Sequence, residues 1–285
     1  FPDRILVSSD PITAGTDLYE TGALCVSVCC NDVAANGGEP VAMTLTVIMT
    51  PESEPSDVCR IMDGATARAK SLGVEIVGGH TEFSDCVTRP IVCGTAIGRT
   101  KRPIMKDDFR AGDKIMVTKL LALEGSCLLA DEKKPKLTEE ERAELDSFRE
   151  MLDVGAESKA ISHLNEVKAM HDVTEGGVLG AVAEICSNAG LGARLYEDRM
   201  PISKLTEKLC ALCGADPLGL VSSGSMLIVT TDPEKVAAAL NKVRIPVTVV
   251  GEVTDKGNVL VRRNGEETPF DVKRDEMYRI YGVEE

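Results

Sequence analysis

Four carboxylates stand beside small, turn-forming residues and hold most of the reactive potential of this sequence: Asp10 in SSDPI (8–12), Asp32 in NDVAANGGEP (31–40), Glu82 in VGGHTE (77–82) and Asp172 in HDVTEGG (171–177). Carboxylates of this kind hold Mg2+, the ion bridges phosphate oxygens, and glycines let the backbone come close to them. The formal charge is −14, from 46 acidic and 32 basic residues. A phosphate compound such as ATP must therefore be met locally, by metal ions and backbone amides, rather than by a basic surface.

Asp32 is the only charged residue between Glu20 and Glu39. A lone carboxylate among Ala, Val, Leu and Cys is costly to bury unless something binds it, which makes it a candidate ligand. Pairing with a distant lysine, or simple solvation, is the alternative. Leu24, Val28 and Asp32 recur at i, i+4 and i+8, the spacing of one helical stripe, and Gly37 and Gly38 supply a stop. A helix over 17–36 would thus carry the acid in its last turns. Upstream, 4–9 (RILVSS) reads as a buried strand with Asp10 at its end. Downstream, 42–49 reads as a strand, and a helix capped by Ser56 runs to 72 and stops at Gly73. A strand at 74–77 runs into a GGHTE loop, and 91–97 is a fourth strand. This order predicts an α/β or α+β domain.

The segment 99–113 is charged, contains Pro103 and breaks the pattern, so it reads as the connection between a domain of residues 1–110 and one of 111–285. The second domain shows strands at 114–118, 226–230, 247–253 and 259–261. Its helices fall at 122–131, 178–188, 204–212 and 233–243, with an exposed, solvated helix opened by Glu139 to Glu141 and a short acidic tail to Glu285. Asp172, Thr174 and Glu175, beside Gly176 and Gly177, sit at the entrance of the 178–188 helix. Backbone amides and the positive dipole end favour anions there; a plain N-cap with acidic first-turn residues needs the same letters. Ser222 to Ser225 form another small-residue loop.

With 285 residues, 43% of them apolar, the chain suits two ordinary domains with substantial cores. No apolar run approaches the ~20 residues of a membrane span, and no charged-then-apolar export signal opens the sequence. Neither nucleic acid nor membrane is an expected partner, and the cytoplasm is the expected location. The ten cysteines then read as reduced thiols acting as small hydrophobes. Cys210 and Cys213 form a lone CxxC with no second pair or nearby histidine to make a zinc or redox site of it; Cys25, Cys29 and Cys30 read the same way. Three histidines exclude a histidine-rich metal site.

There is no GxxxxGK[ST] run, no GxGxxG after a strand and no GxSxG elbow, which removes P-loop, Rossmann and α/β-hydrolase chemistry. The motifs that remain carry a resemblance. SSDPI, NDVAANGGEP, VGGHTE, AGDKIMVT (111–118) and HDVTEGG, in this order over essentially the whole chain, resemble the aminoimidazole ribonucleotide (AIR) synthase, or PurM-like, superfamily. Within it the sequence looks most like hydrogenase expression/formation proteins of the HypE type and the AIR-synthase-related proteins grouped with them.

The resemblance implies an N-terminal domain of sheet plus helices that pairs with its twin into a homodimeric β-barrel, and a C-terminal α/β domain. It implies that Asp10 and Asp32, with Glu82, hold Mg2+, and that Asn31, Gly78, Gly79 and Thr81 line the ATP site. Thr174, Gly176 and Gly177 would approach from the second domain, with Asp172 and His80 as further catalytic participants. The expected activity is ATP- and Mg2+-dependent phosphorylation of an amide or acid oxygen, on a small molecule or on a group carried by a partner protein in hydrogenase maturation. Loss of the phosphate then dehydrates a carboxamide to a nitrile. A nucleotide-binding maturation partner without turnover is one alternative. Another enzyme of the superfamily, such as AIR synthase, thiamine-monophosphate kinase or selenophosphate synthetase, is the other.

Two departures bear on this expectation. HypE-type proteins carry the group on a cysteine at the extreme C-terminus, whereas this sequence ends at Glu285 with its last cysteine at Cys213, so thiocyanate formation on its own thiol is not expected. His80 stands where an Asp usually follows the glycines, as in selenophosphate synthetase. A neutral imidazole replaces a hard oxygen ligand for Mg2+ poorly, which leaves that place to Glu82 or a water.

Overall fold

Strand alternation and helical stripes sort the first hundred residues into one sheet and two helices. In this computed structural model, which describes residues 3–13, 17–105, 108–271 and 274–282, the chain divides into Phe1–Pro103 and Ile104–Glu285. Lys106 and Asp107 of the charged connection, and the end of the acidic tail at 283–285, lie outside the described residues.

The first unit holds β1 (Arg4–Ile12), α1 (Leu18–Ala35), β2 (Glu39–Met49), α2 (Pro55–Leu72), β3 (Glu75–Phe83) and β4 (Ile91–Thr100). The sheet order is β1-β4-β2-β3, and only β2 and β3 run parallel. Cys25, Val26, Cys29 and Val33 of α1, with Ile61 and Ala65 of α2, pack on Met43, Leu45, Val47, Val92 and Ala96. At about 1.5–3 kcal/mol per buried large apolar side chain, this contact holds both helices on one face of the sheet. Asp17 caps α1 by accepting the N–H of Tyr19 and of Glu20. The cap of α2 is Glu54 rather than Ser56, in a reciprocal capping box with Asp57, and Gly73 ends the helix in the left-handed conformation. No described element of this unit covers the other sheet face, where Ile5 and Val7 are 58% and 63% exposed.

Two strands run further than the sequence pattern indicates. β1 continues past Asp10 through Pro11, so Asp10 lies opposite Gly94 within the strand rather than at its end. A proline is tolerated there because β1 is an edge strand. β3 continues through Gly78 to Phe83, so GGHTE is the second half of a strand parallel to β2 and not a loop. Gly79 permits this close pairing: a Cβ at that position would stand 2.0 Å from the Leu45 carbonyl oxygen.

The second unit holds β5 (Lys114–Thr118), α3 (Leu123–Lys133), α4 (Glu139–Glu150), α5 (Gly155–Ile161), β6 (Val167–Asp172), α6 (Gly177–Asn188), β7 (Gly192–Tyr196), α7 (Lys204–Cys213), β8 (Met226–Thr230), α8 (Pro233–Lys242), β9 (Val247–Thr254), β10 (Asn258–Val261), β11 (Glu267–Pro269) and α9 (Glu276–Ile280). The strands form one sheet in the order β11-β10-β7-β9-β5-β8-β6. Val178, Val182 and Ile185 of α6 pack on Val117, Ala169, Leu227 and Val229. A separate core joins Leu129, Leu145, Phe148, Leu209 and Met277. Helix α4 is therefore solvated only along its acidic side, since Leu145 and Phe148 are buried. The architecture is mixed α/β in both units. No described helix is long and apolar enough to cross a membrane.

Candidate functional site

β1 and α1 bring the two acids of the first unit together. Ser8 and Asp10 share the helix-covered face of β1 with Leu6, and Asp32 meets them from the last turns of α1. Ser8 Oγ donates to Asp32 Oδ2 at 2.6 Å and lies 3.4 Å from Asp10 Oδ2. Two carboxylates gathered around one hydroxyl repel each other, and a bound cation relieves that repulsion. A cleft of ≈ 370 Å³ opens beside them, lined by Leu6, Val7, Ser8, Asp32, Val33 and Asn36. Asn36 is anchored by its side-chain amide, which donates to the Asp32 carbonyl at 2.8 Å.

Sequence reasoning did not single out Ser8 or Asn36. The available signals were short-range: Ser8 is two residues from Asp10 on one strand face, and Asn36 is one helical turn after Asp32. Asn31, by contrast, is 1% exposed inside the unit, and Asn36 takes its place at the cleft.

Glu82, His80 and Thr81 stand on β3, at the opposite edge of the sheet from β1. Asp10 lies opposite Gly94, Gly94 opposite Leu45, and Leu45 opposite Gly79. Three strand spacings of about 4.8 Å separate the two edges, so Glu82 does not join Asp10 and Asp32 within one chain. His80 Nε2 and Glu82 Oε2 are instead 3.7 Å apart on the exposed edge. Gly79 serves the strand pairing, whereas a Cβ added at Gly78 would meet nothing nearer than the Thr44 methyl at 3.8 Å. Among the described residues, no three His, Cys, Asp or Glu side chains come together as a metal cage. The Asp10–Asp32 pair matches what Mg2+ takes from a protein when phosphate oxygens and waters complete its shell: one or two carboxylates.

In the second unit three loops meet at one end of the sheet, because β8 runs antiparallel to both β5 and β6. The Ala122 N–H donates to Ser222 Oγ at 2.7 Å, Ser225 Oγ donates to the Leu120 carbonyl at 2.6 Å, and the Val173 N–H donates to the Ser225 carbonyl at 3.0 Å. Asp172, at the end of β6, is 1% exposed; its Oδ1 lies 3.4 Å from His171 Nδ1, and its Oδ2 has no hydrogen-bond partner among the described residues. An unmet buried acceptor costs about 1–3 kcal/mol. Glu184 Oε2 lies 3.5 Å from the other ring nitrogen of His171.

The helix entrance expected to receive an anion already holds one from the chain itself. Gly176 N–H donates to Asp275 Oδ2 at 2.8 Å, Gly177 N–H to the Thr174 carbonyl at 3.1 Å, and Leu179 N–H to the Leu218 carbonyl at 3.2 Å. Gly177 has φ 60°, and a Cβ there would come within 2.4 Å of the Leu218 carbonyl oxygen. Its glycine is thus required by packing.

Glu124, in the first turn of α3, is buried beside Ser223, which hydrogen-bonds to it; Asp275 and Glu175 face it as well. Burial pushes its carboxyl up to about 7 against the pull of Ser223, and the two neighbouring acids add to the rise. The sequence carried the signal, since Glu124 is the only charged residue between Lys119 and Asp131. A carboxyl raised from about 4.5 to about 7 binds its proton more tightly in the folded chain. Its contribution to stability is complete below pH about 4.5 and is lost as pH rises through about 7. Glu124→Gln is therefore expected to flatten this slope and to exceed wild-type stability at pH about 8 by on the order of 2–3 kcal/mol. Urea unfolding at acidic and alkaline pH measures it, and parallel pH profiles for the two proteins would contradict it.

Cys210 and Cys213 are free thiols in the last turn of α7. A helix C-terminus disfavours a thiolate, and burial, with help from Cys213, Asp216 and Glu276, pushes Cys210 up to about 12. Cys210 is buried in the core that α3, α4 and α7 share, and Cys213 packs against it.

Fold and acid placement together define a two-unit mixed α/β protein, with an acid pair held by β1 and α1 in the first unit and a buried acid at the end of β6 in the second. The chain belongs to the AIR synthase related protein family: the family's N-terminal domain matches residues 3–100 and its C-terminal domain residues 110–263. It is 25% identical over 211 residues to a Methanocaldococcus jannaschii protein named for hydrogenase expression/formation, across 73% of this chain and 62% of that one. The match thus spans less than two thirds of that relative's length. It is 25% identical over 247 residues to the carbamoyl dehydratase HypE of Azotobacter vinelandii, across 80% of this chain and 67% of the relative. The fold is that of a hydrogenase maturation protein HypE solved in complex with ATP, with a TM-score of 0.83 at 20% identity over 97% of this chain and 87% of the other.

Proposed function

We propose that this protein is an ATP- and Mg2+-dependent enzyme that activates an amide or acid oxygen by phosphorylation, on a small molecule or on a group carried by a partner in metal-centre maturation. The observation that carries this reading is the Asp10–Asp32 pair gathered on Ser8 beside the cleft. The ATP complex of a HypE of the same fold and the carbamoyl dehydratase name of a relative support it. Asp10 and Asp32 would hold Mg2+, which supplies positive charge to phosphate oxygens. Ser8 orients Asp32 toward the cleft. In the second unit, the unpartnered oxygen of Asp172 and the turn that follows it are the candidate functional groups. Isothermal titration with ATP tests the reading: metal-dependent binding is expected, together with phosphate release when a carbamoylated acceptor is added. No binding would overturn it, and binding without release under any acceptor would favour a partner without turnover.

The uncovered face of the first sheet supports a homodimer. β1 and β3 are both unpaired edges, and Ile5, Val7, Val77 and Phe83 are exposed apolar residues on them. Unpaired edges template further strand pairing, and joining two four-stranded sheets into one barrel removes them. A second copy would bring its β3, with Glu82 and His80, toward β1 of the first, where Asp10 stands. Sedimentation velocity is expected to show a dimer that Val7→Glu dissociates; a wild-type protein that stays monomeric at micromolar concentration would contradict the barrel. The free state of all ten cysteines fits a cytoplasmic setting.

A further inference from the structure

Asp275 is buried and uses both carboxylate oxygens on backbone donors: Oδ2 accepts the N–H of Gly176, and Oδ1 accepts the N–H of Met277, each at 2.8 Å. One side chain thus caps α9 and grips the turn that opens α6, far away in sequence. Three further contacts seat the helix. Glu276 N–H donates to the Gly219 carbonyl at 3.2 Å, Tyr278 Oη to Glu175 Oε1 at 3.3 Å, and the Arg279 guanidinium to the Gly214 carbonyl at 2.7 Å. Met277 is buried in the core that α3, α4 and α7 share. A helix of five residues has no stability of its own, so α9 persists only where it is docked. Gly176, in the left-handed region at φ 77°, has more backbone freedom than any other residue type. The geometry of the turn therefore depends on what binds it from outside as well as on its own Gly177–Thr174 hydrogen bond.

We propose that α9 is a latch on the 173–177 turn and that Asp275 is the positioning residue that closes it. The proposal rests on the reading of that turn as part of the functional site. Asp275 faces Glu124 of α3, Glu175 of the turn and Glu276 of α9 itself, while Arg274 next to it stacks on the Tyr278 ring at 4.3 Å. Burial raises Asp275 to about 6 against the two amide hydrogen bonds, and Glu175 and Glu276 add to the rise. Docking that raises a carboxyl's affinity for its proton takes one up, so the latch is tightest in acid and loosens as pH rises through about 6.

Hydrogen exchange on the full chain without nucleotide tests this. In Asp275→Ala the amides of 174–178 are expected to exchange about tenfold faster, as for loss of one buried hydrogen bond, while β5 and β8 keep wild-type protection. Asp275→Asn, which retains one acceptor, falls between and loses the decline in turn protection that wild type shows from acid to neutral pH. ATP affinity is expected to fall about tenfold in Asp275→Ala with the unfolding midpoint of the sheet held. Unchanged exchange in the turn, acceleration spread evenly over the whole unit, or a wild-type pH profile in Asp275→Asn would each overturn the latch. A wild type that binds no ATP would overturn the functional reading instead, and the exchange data would still decide the latch.

Discussion

Asp32→Ala is expected to weaken Mg2+-dependent ATP binding by about a hundredfold or more while the chain stays folded. Asp32 and Asp10 are the acids that share Ser8 beside the cleft, and two carboxylates are the usual protein share of an Mg2+–phosphate shell. Removing one leaves the protein a single carboxylate to offer the metal, with water in place of the other. Asp32 is half-buried and lies outside the apolar core of the unit, so the fold is expected to tolerate its loss. Asp32→Asn separates charge from shape: it keeps the acceptor for Ser8 and should lose nearly as much affinity as Ala. Ser8→Ala, which leaves both charges and removes only their shared donor, is expected to cost about tenfold. Titration calorimetry with and without Mg2+, beside thermal unfolding of each variant, reads all three. If Asp32→Ala binds Mg-ATP like wild type, the cleft is not the nucleotide site.

Asp32 and Glu124 each stand as the lone charge in an apolar stretch of sequence. Both acids interrupt apolar helical stretches, and burying a charge is costly enough that such a letter marks a place where something holds it. Periodic segments are legible for the same local reason: α1, α2, α6 and α8 show helical stripes, the first two closed by glycine stop signals, and β5 and β8 are short β-branched or apolar runs. The extent of β3 was not legible. Two glycines ordinarily end a strand, and only the approach of the Leu45 carbonyl, a tertiary contact, makes Gly79 belong inside one. β6 was hidden because its last two residues, His171 and Asp172, are polar yet buried. Helix α9, five residues long, is shorter than the roughly 11-residue window over which periodicity is read, and it is held by residues remote in sequence, such as Gly176 and Gly219. What sequence cannot supply is which motifs share an edge of a sheet. The strand order β1-β4-β2-β3 puts Asp10 and Glu82 at opposite ends of one sheet, although their motifs read as parts of a single site.

Lys119→Met is expected to destabilise the second unit by about 3–5 kcal/mol, the cost of leaving a buried charge without its partner. Lys119 Nζ lies 2.7 Å from Glu157 Oε1, with the two side chains 10% and 1% exposed. The ammonium also donates to the Met151 and Asp153 carbonyls at 3.0 and 2.6 Å, so its three protons are all used. Thr118 Oγ1 adds a hydrogen bond to the same carboxylate oxygen at 3.3 Å. These contacts fasten the exit of β5 to α5 and to the chain before it, and they hold Lys119 at φ 54°, a conformation unusual for a residue with a side chain. Methionine removes the cation from a carboxylate that water cannot reach and strands two carbonyls. The double variant Lys119→Met/Glu157→Leu removes both charges and is expected to regain most of the loss, because the desolvation penalty disappears with the pair. The chain has no tryptophan, so urea unfolding is best followed by far-ultraviolet circular dichroism. A single-variant loss below about 1 kcal/mol, the range of solvent-exposed pairs, or a double variant no more stable than Lys119→Met, would show that the pair does not hold this corner of the sheet.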